Sequence, residues 1–246
     1  MGRELTFHVF RYNPQNPHSQ PHLQTFPLEE TEGMTLFIVL NRIQEEQDPT
    51  LQFDFCCRAG MCGSCAILIN GRPDLACHTK TMDLPQEITL LPLPVFDLVG
   101  DLSVDKGKWF RKMNERVESW VHTDEIFDPT ALEERMDNRT AVGIYELERC
   151  IECGCCIAAC GTANMRPDFL GAAALNRIAR FMVDPRDQRK DQNYFEVIGS
   201  DEGIFGCLGL LGWEDVCPKH LPLQDQLGAI HRKMGWGAVK GLLVTR

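Results

Sequence analysis

No stretch of the 246-residue chain approaches the about 20 consecutive apolar residues of a membrane-spanning helix, so the sequence predicts no transmembrane segment. The opening Met1-Gly2-Arg3-Glu4-Leu5-Thr6-Phe7 lacks the apolar core of a secretory signal, which leads to the expectation of a cytoplasmic chain with reduced thiols. Basic runs are missing as well. Against 35 acidic residues there are 25 basic ones, and a net charge of −10 excludes a general role on nucleic-acid phosphates. No Gly-x-Gly-x-x-Gly follows a predicted strand, so there is no dinucleotide fingerprint. The seven histidines (His8, His18, His22, His78, His122, His220 and His231) form no metal or catalytic constellation. Low-complexity tracts and fixed-period repeats are also missing.

What the chain does have is 12 cysteines, unevenly spread. Five lie between Cys56 and Cys77, five between Cys150 and Cys160, and the last two are Cys207 and Cys217; Ile88 to Arg149 contains none. In a reducing compartment these call for metal, clusters or plain burial rather than disulfides, and spacing decides among them. The hydrophobic share of 43% and charged share of 24% are ordinary for a globular chain.

The first hundred residues read as mixed α and β. Strands are expected at Leu5–Tyr12, Leu23–Leu28, Ala66–Ile69 and Ile88–Leu91, with Asn70-Gly71 as a hairpin turn. Met34–Gln47 carries helical spacing, with Leu36, Val39, Leu40 and Ile43 on one face and Thr31 and Glu32 as capping candidates. Beyond a boundary placed near residue 100 the pattern is helical, most clearly over Trp109–Thr123 and Leu170–Val183.

Cys57, Cys62 and Cys65 make a C-x4-C-x2-C run, and Cys77 follows beyond the hairpin, which is the plant-type [2Fe–2S] ligand spacing. Gly60 and Gly63 let a short loop wrap a small anionic core and turn backbone amides towards its sulfurs. Zinc is the competing reading, but structural zinc sites favour two tight cysteine pairs. Cys56 falls one position out of register and is read as a spectator.

Cys150, Cys153, Cys156 and Cys160 form the C-x2-C-x2-C-x3-C run of bacterial ferredoxins, whose fourth cysteine ligates the other cluster. Gly161 stands where a proline usually follows, and Cys155 is read as a bystander. Cys217-Pro218 ends the reciprocal half, so Cys150, Cys153, Cys156 and Cys217 are expected to hold a [4Fe–4S] cluster. Counting back from Cys217 by 4, 7 and 10 reaches Trp213, Leu210 and Cys207. Leu210 removes one iron's ligand, which is how a [3Fe–4S] site arises, and leaves Cys160 and Cys207 as its ligands. Trp213 stands at the remaining ligand position. Three readings are open there: a substitute ligand such as Glu214 or water, a labile or absent cluster, or a one-base misreading, since Cys and Trp codons can differ by one base.

With CRAGMCGSC at Cys57–Cys65, CIECGCCIAAC at Cys150–Cys160 and VCPKHLP at Val216–Pro222, nearly the whole chain resembles the iron–sulfur subunits of fumarate reductases and succinate dehydrogenases. The likeness is best to bacterial quinol:fumarate reductases with a dihaem cytochrome b subunit. The resemblance implies an α+β architecture, with a β-grasp ferredoxin domain at residues 1–99 carrying [2Fe–2S] and a helical ferredoxin domain at 100–246 carrying [4Fe–4S] and [3Fe–4S]. It implies two partners: a flavoprotein subunit with FAD and the dicarboxylate site, and a membrane cytochrome b subunit with haem b and quinone. The [2Fe–2S] end would face the flavin and the [3Fe–4S] end the membrane, at the cytoplasmic side of a bacterial inner membrane. Gly161–Pro167 lacks the tryptophan that succinate dehydrogenases use near quinone, which points to quinone bound within the membrane subunit. From Gly228 to Arg246 there is no acidic residue, while His231, Arg232, Lys233, Lys240 and Arg246 lie among apolar side chains and Trp236; a membrane-side docking surface and an ordinary solvated end both fit this pattern. Two other functions compete. One is a carrier for a different flavoprotein, whose relatives often add cysteine-rich domains after the last motif. The other is a zinc-binding interaction protein, which iron and sulfide analysis would separate from a cluster protein.

Overall fold

The computed structural model describes residues 2–244 except 119, 125–127, 131, 133, 134, 211 and 214, with side chains described as far as 237. A five-stranded mixed sheet forms the first half, in the order β2-β1-β5-β3-β4. Its strands are β1 (Glu4–Arg11), β2 (His22–Glu29), β3 (Ala66–Ile69), β4 (Arg72–Leu75) and β5 (Glu87–Leu91). β1 runs antiparallel to β2 and parallel to β5, while β3 pairs antiparallel with both β4 and β5.

Sequence alternation explains the sheet's inner face. Leu5, Phe7 and Val9 of β1 are buried on one side, and the residues between them are more exposed. Helix α1 (Leu36–Arg42) contributes Leu36, Val39 and Leu40 to the same core. Each such fully buried aliphatic side chain is worth roughly 1.5–3 kcal/mol of transfer free energy. The Asn70-Gly71 turn has φ of 47° and 82°, the left-handed geometry of a two-residue hairpin, and it joins β3 to β4 as expected.

Two helices differ from expectation in their boundaries. The helix over residues 34–47 starts at Leu36, because Thr35 rather than Thr31 or Glu32 caps it, its side chain accepting from the Ile38 amide at 3.5 Å. Beyond Arg42 the chain widens into a π-helical turn, Ile43–Gln47, closed by the Asp48 amide on the Ile43 carbonyl at 2.8 Å. The helix expected over 109–123 is α2 (Gly107–Val117), which ends because Glu118 takes a φ of 61°.

The hairpin of β6 (Asp97–Gly100) and β7 (Ser103–Asp105) crosses residue 100, and Leu102 and Val104 pack into the first core. Buried Arg11 pairs with Asp48 at 2.6 Å and Asp101 at 3.1 Å, tying β1 to the loop of that hairpin. The second half is helical: α3 (Asn138–Glu148), α4 (Cys155–Ala158), α5 (Gly161–Met165), α6 (Gly171–Val183), α7 (Asp191–Ile198) and α8 (Leu223–Val244). α6 matches its expected span. It is the centre of a second core, with Leu175 and Ile178 fully buried and Asn176 donating to the Leu147 carbonyl of α3 at 3.0 Å. Among the described residues no helix is long and apolar enough to cross a membrane.

Candidate iron–sulfur sites

The loop carrying Cys57, Cys62 and Cys65 turns through positive φ at Arg58, Gly60 and Gly63. That path points backbone amides at sulfur. Ala59 and Met61 donate to Cys57 Sγ at 3.4 and 3.2 Å, and Gly60 donates to Cys77 Sγ at 3.3 Å. The Cys77 amide donates to Cys65 Sγ at 3.5 Å. The hairpin β3–β4 therefore returns Cys77 to the loop. Burial raises the Cys62 thiol, but hydrogen bonds from Ser64 and the nearby backbone outweigh it and bring the pKa down to about 6. Burial pushes Cys65 up to about 12, so ligation there must displace a tightly held proton. The four thiols and converging amides fit a [2Fe–2S] cluster. Cys56 is exposed and makes no part of this arrangement.

At the second site one pocket is lined by Cys150, Cys153, Cys156 and Cys217 together with Ile151 and Pro218. Three of these thiols come from the turn before and inside α4, whose tight path uses Glu152 at φ 51° and Gly154 at φ 88°. The fourth comes from the segment preceding α8. Burial pushes Cys150 up to about 12 and also raises Cys156 well above the ordinary thiol value. Cys153 goes the other way, to about 7, because a hydrogen bond with the Cys155 thiol stabilises its thiolate against burial. A site of four thiols in an apolar pocket fits a [4Fe–4S] cluster, in which each thiolate holds a different iron.

The two sites touch. Gly63, at φ 71°, lies so close to Cys153 that an added Cβ would stand 2.7 Å from its Cα and Cβ. Lys106 donates to the Gly63 and Ser64 carbonyls at 2.9 and 3.2 Å, and its charge favours the Cys153 thiolate. Lys106, Ser64 and the bond from Cys155 escape spacing arguments, because each acts across the fold or through a residue without ligand register. Glycine inside C-x2-C was the one available hint of close approach.

The third site is incomplete. Cys160 is buried and Cys207 half-buried, both at the second core. Trp213 is only 3% exposed and belongs to that core, and Glu214 lies outside the described residues. Two thiols and an indole do not supply the three thiolates of a [3Fe–4S] cluster.

Fold and sites together define an electron-transfer protein with adjacent iron–sulfur centres in two regions of chain. Residues 6–111 match the family described as a 2Fe-2S iron-sulfur cluster binding domain, and residues 146–221 match a 4Fe-4S dicluster domain. The chain is 58% identical over 235 residues to the fumarate reductase iron-sulfur subunit of Wolinella succinogenes, covering 95% of this chain and 98% of that one. It is 33% identical to a mitochondrial succinate dehydrogenase iron-sulfur subunit of Oryza sativa, over 88% of this chain and 77% of the relative. A chain of the Mycobacterium smegmatis Sdh1 complex in the apo form shares the fold, with a TM-score of 0.84 at 24% identity, covering 95% of this chain and 96% of that one. The chain belongs to the family of iron–sulfur subunits of fumarate reductases and succinate dehydrogenases.

Proposed function

We propose that this chain conducts electrons within a membrane-bound quinol:fumarate reductase. It connects a membrane cytochrome b subunit, with haem b and quinone, to a flavoprotein subunit whose FAD site reduces the dicarboxylate. The observation that carries this is the direct contact between the two cluster sites, Gly63 of the first against Cys153 of the second. Bound clusters supply one-electron transfer. The chain's residues hold them at Cys57, Cys62, Cys65 and Cys77, and at Cys150, Cys153, Cys156 and Cys217. They also orient amides towards sulfur and exclude water from the second pocket.

Exposed apolar side chains support two docking faces. Phe55 and Met61 flank the first loop, while Met165, Leu208 and Leu210 lie around Cys160 and Cys207. The first would meet the flavoprotein and the second the membrane subunit, on the cytoplasmic side of a bacterial inner membrane. The 58% identity to the fumarate reductase subunit of Wolinella succinogenes supports the fumarate reductase reading. We further divide the chain into a β-grasp [2Fe–2S] domain, residues 1–99, and a helical cluster domain, residues 100–246, with the β6–β7 hairpin straddling that boundary.

Redox exchange in the isolated complex tests the reading. A low-potential quinol should generate the reduced [2Fe–2S] EPR signal, and fumarate should then remove it. A [2Fe–2S] centre that dithionite reduces but that neither quinol nor fumarate touches would overturn the proposal.

A further inference from the structure

Cys160 is buried in the second core, apart from the two candidate sites. Residues 208, 210 and 212 lie against the start of α5 and the residues just before it. A Cβ at Gly161 would stand 2.7 Å from Leu210 Cδ1, and a Cβ at Gly212 would stand 2.8 Å from the Ala159 carbonyl oxygen. The Leu208 amide donates to Thr162 Oγ1 at 3.4 Å. These contacts set the stretch that carries positions 207 and 213 against residues 159, 161 and 162, on either side of Cys160. The side chain at 213 is an indole, almost completely buried in the same core as Cys160. An indole has one N–H donor and no lone pair to give iron. Its bulk also takes up room that an iron–sulfur core would need, since packed interiors leave few voids larger than a water molecule. Buried cysteine without a metal behaves as a small apolar side chain, and Cys160 is placed as one.

We propose that Trp213 closes the third site, so that this chain holds a [2Fe–2S] and a [4Fe–4S] cluster and no [3Fe–4S] cluster. Cys160 and Cys207 are then core thiols, and electrons leave the helical half from the [4Fe–4S] centre. The inference rests on the function proposed above, because it concerns the number of centres in the same wire.

Acid-labile sulfide in the purified complex decides it, since haem iron from a partner subunit does not enter that count. The proposal expects about six sulfides per chain rather than about ten, and no [3Fe–4S] EPR signal in the oxidised state. W213C should gain about four sulfides together with that signal. The retained [2Fe–2S] spectrum controls for folding. C160S should leave the sulfide count of the otherwise native complex unchanged. About ten sulfides with an oxidised three-iron signal in the native complex would overturn the proposal, whatever the variants do. W213C that folds and stays at six would overturn the role of Trp213, and sulfide loss in C160S would show that Cys160 is a ligand after all. Failure of the function itself would appear differently, as a normal sulfide count without reduction by quinol or oxidation by fumarate.

Discussion

At the first cluster site all four thiols come from the Cys57–Cys77 segment, and amides already point at the sulfurs of Cys57, Cys65 and Cys77. At the second, three thiols come from the turn at α4, but Cys217 comes from the segment just before α8, about 60 residues later in the chain. The first site is therefore local and preorganised. The second is a cross-link between distant segments, complete only when the helical half has folded. Cluster binding should stabilise the two halves to different extents, because closing a longer loop constrains more of the unfolded chain.

The largest break in that comparison is C217S. It should abolish the reduced [4Fe–4S] signal and loosen the helical half, with faster proteolysis there, while the [2Fe–2S] spectrum survives. C77S should remove only the first signal and leave helical content by circular dichroism unchanged. Gly63→Ala comes next. It combines a positive φ, costing about 1–2 kcal/mol, with a Cβ pressed onto Cys153. Gly71→Ala pays the backbone cost alone, since nothing lies within 4 Å of the added carbon. The denaturant midpoint should fall for both variants and further for Gly63→Ala; equal shifts would deny the contact between the sites. Lys106→Met removes two hydrogen bonds to the first loop and a positive charge that favours the Cys153 thiolate. Reduction adds negative charge, so the [4Fe–4S] potential should fall by something on the order of tens of millivolts in a redox titration. Cys155→Ala is the mildest. Loss of the hydrogen bond to Cys153 should lower the same potential by less and leave cluster content intact.

Much of this was legible in the residues. Ligand spacing grouped the cysteines that line the second pocket, because four-residue and three-residue gaps are set by local loop geometry. Asn70-Gly71 announced its hairpin, and α6 kept its expected span because its apolar period runs unbroken to Val183. What escaped depends on tertiary context. Thr35 caps α1 where Thr31 looked equally suitable, and Glu118 ends α2 through a backbone angle that no propensity announces. The approach of Gly63 to Cys153 and the reach of Lys106 belong to the packing of one half against the other. Trp213 was visible as a break in register, but its burial in the same core as Cys160 was not.

The central claim is that two centres lie close enough to exchange electrons directly. Microwave power saturation of the reduced [2Fe–2S] EPR signal tests it, measured once with the [4Fe–4S] centre oxidised and once with it reduced. The account predicts that the [2Fe–2S] spin relaxes faster, and needs more power to saturate, when its neighbour becomes paramagnetic. A saturation curve that stays the same in both states would contradict it.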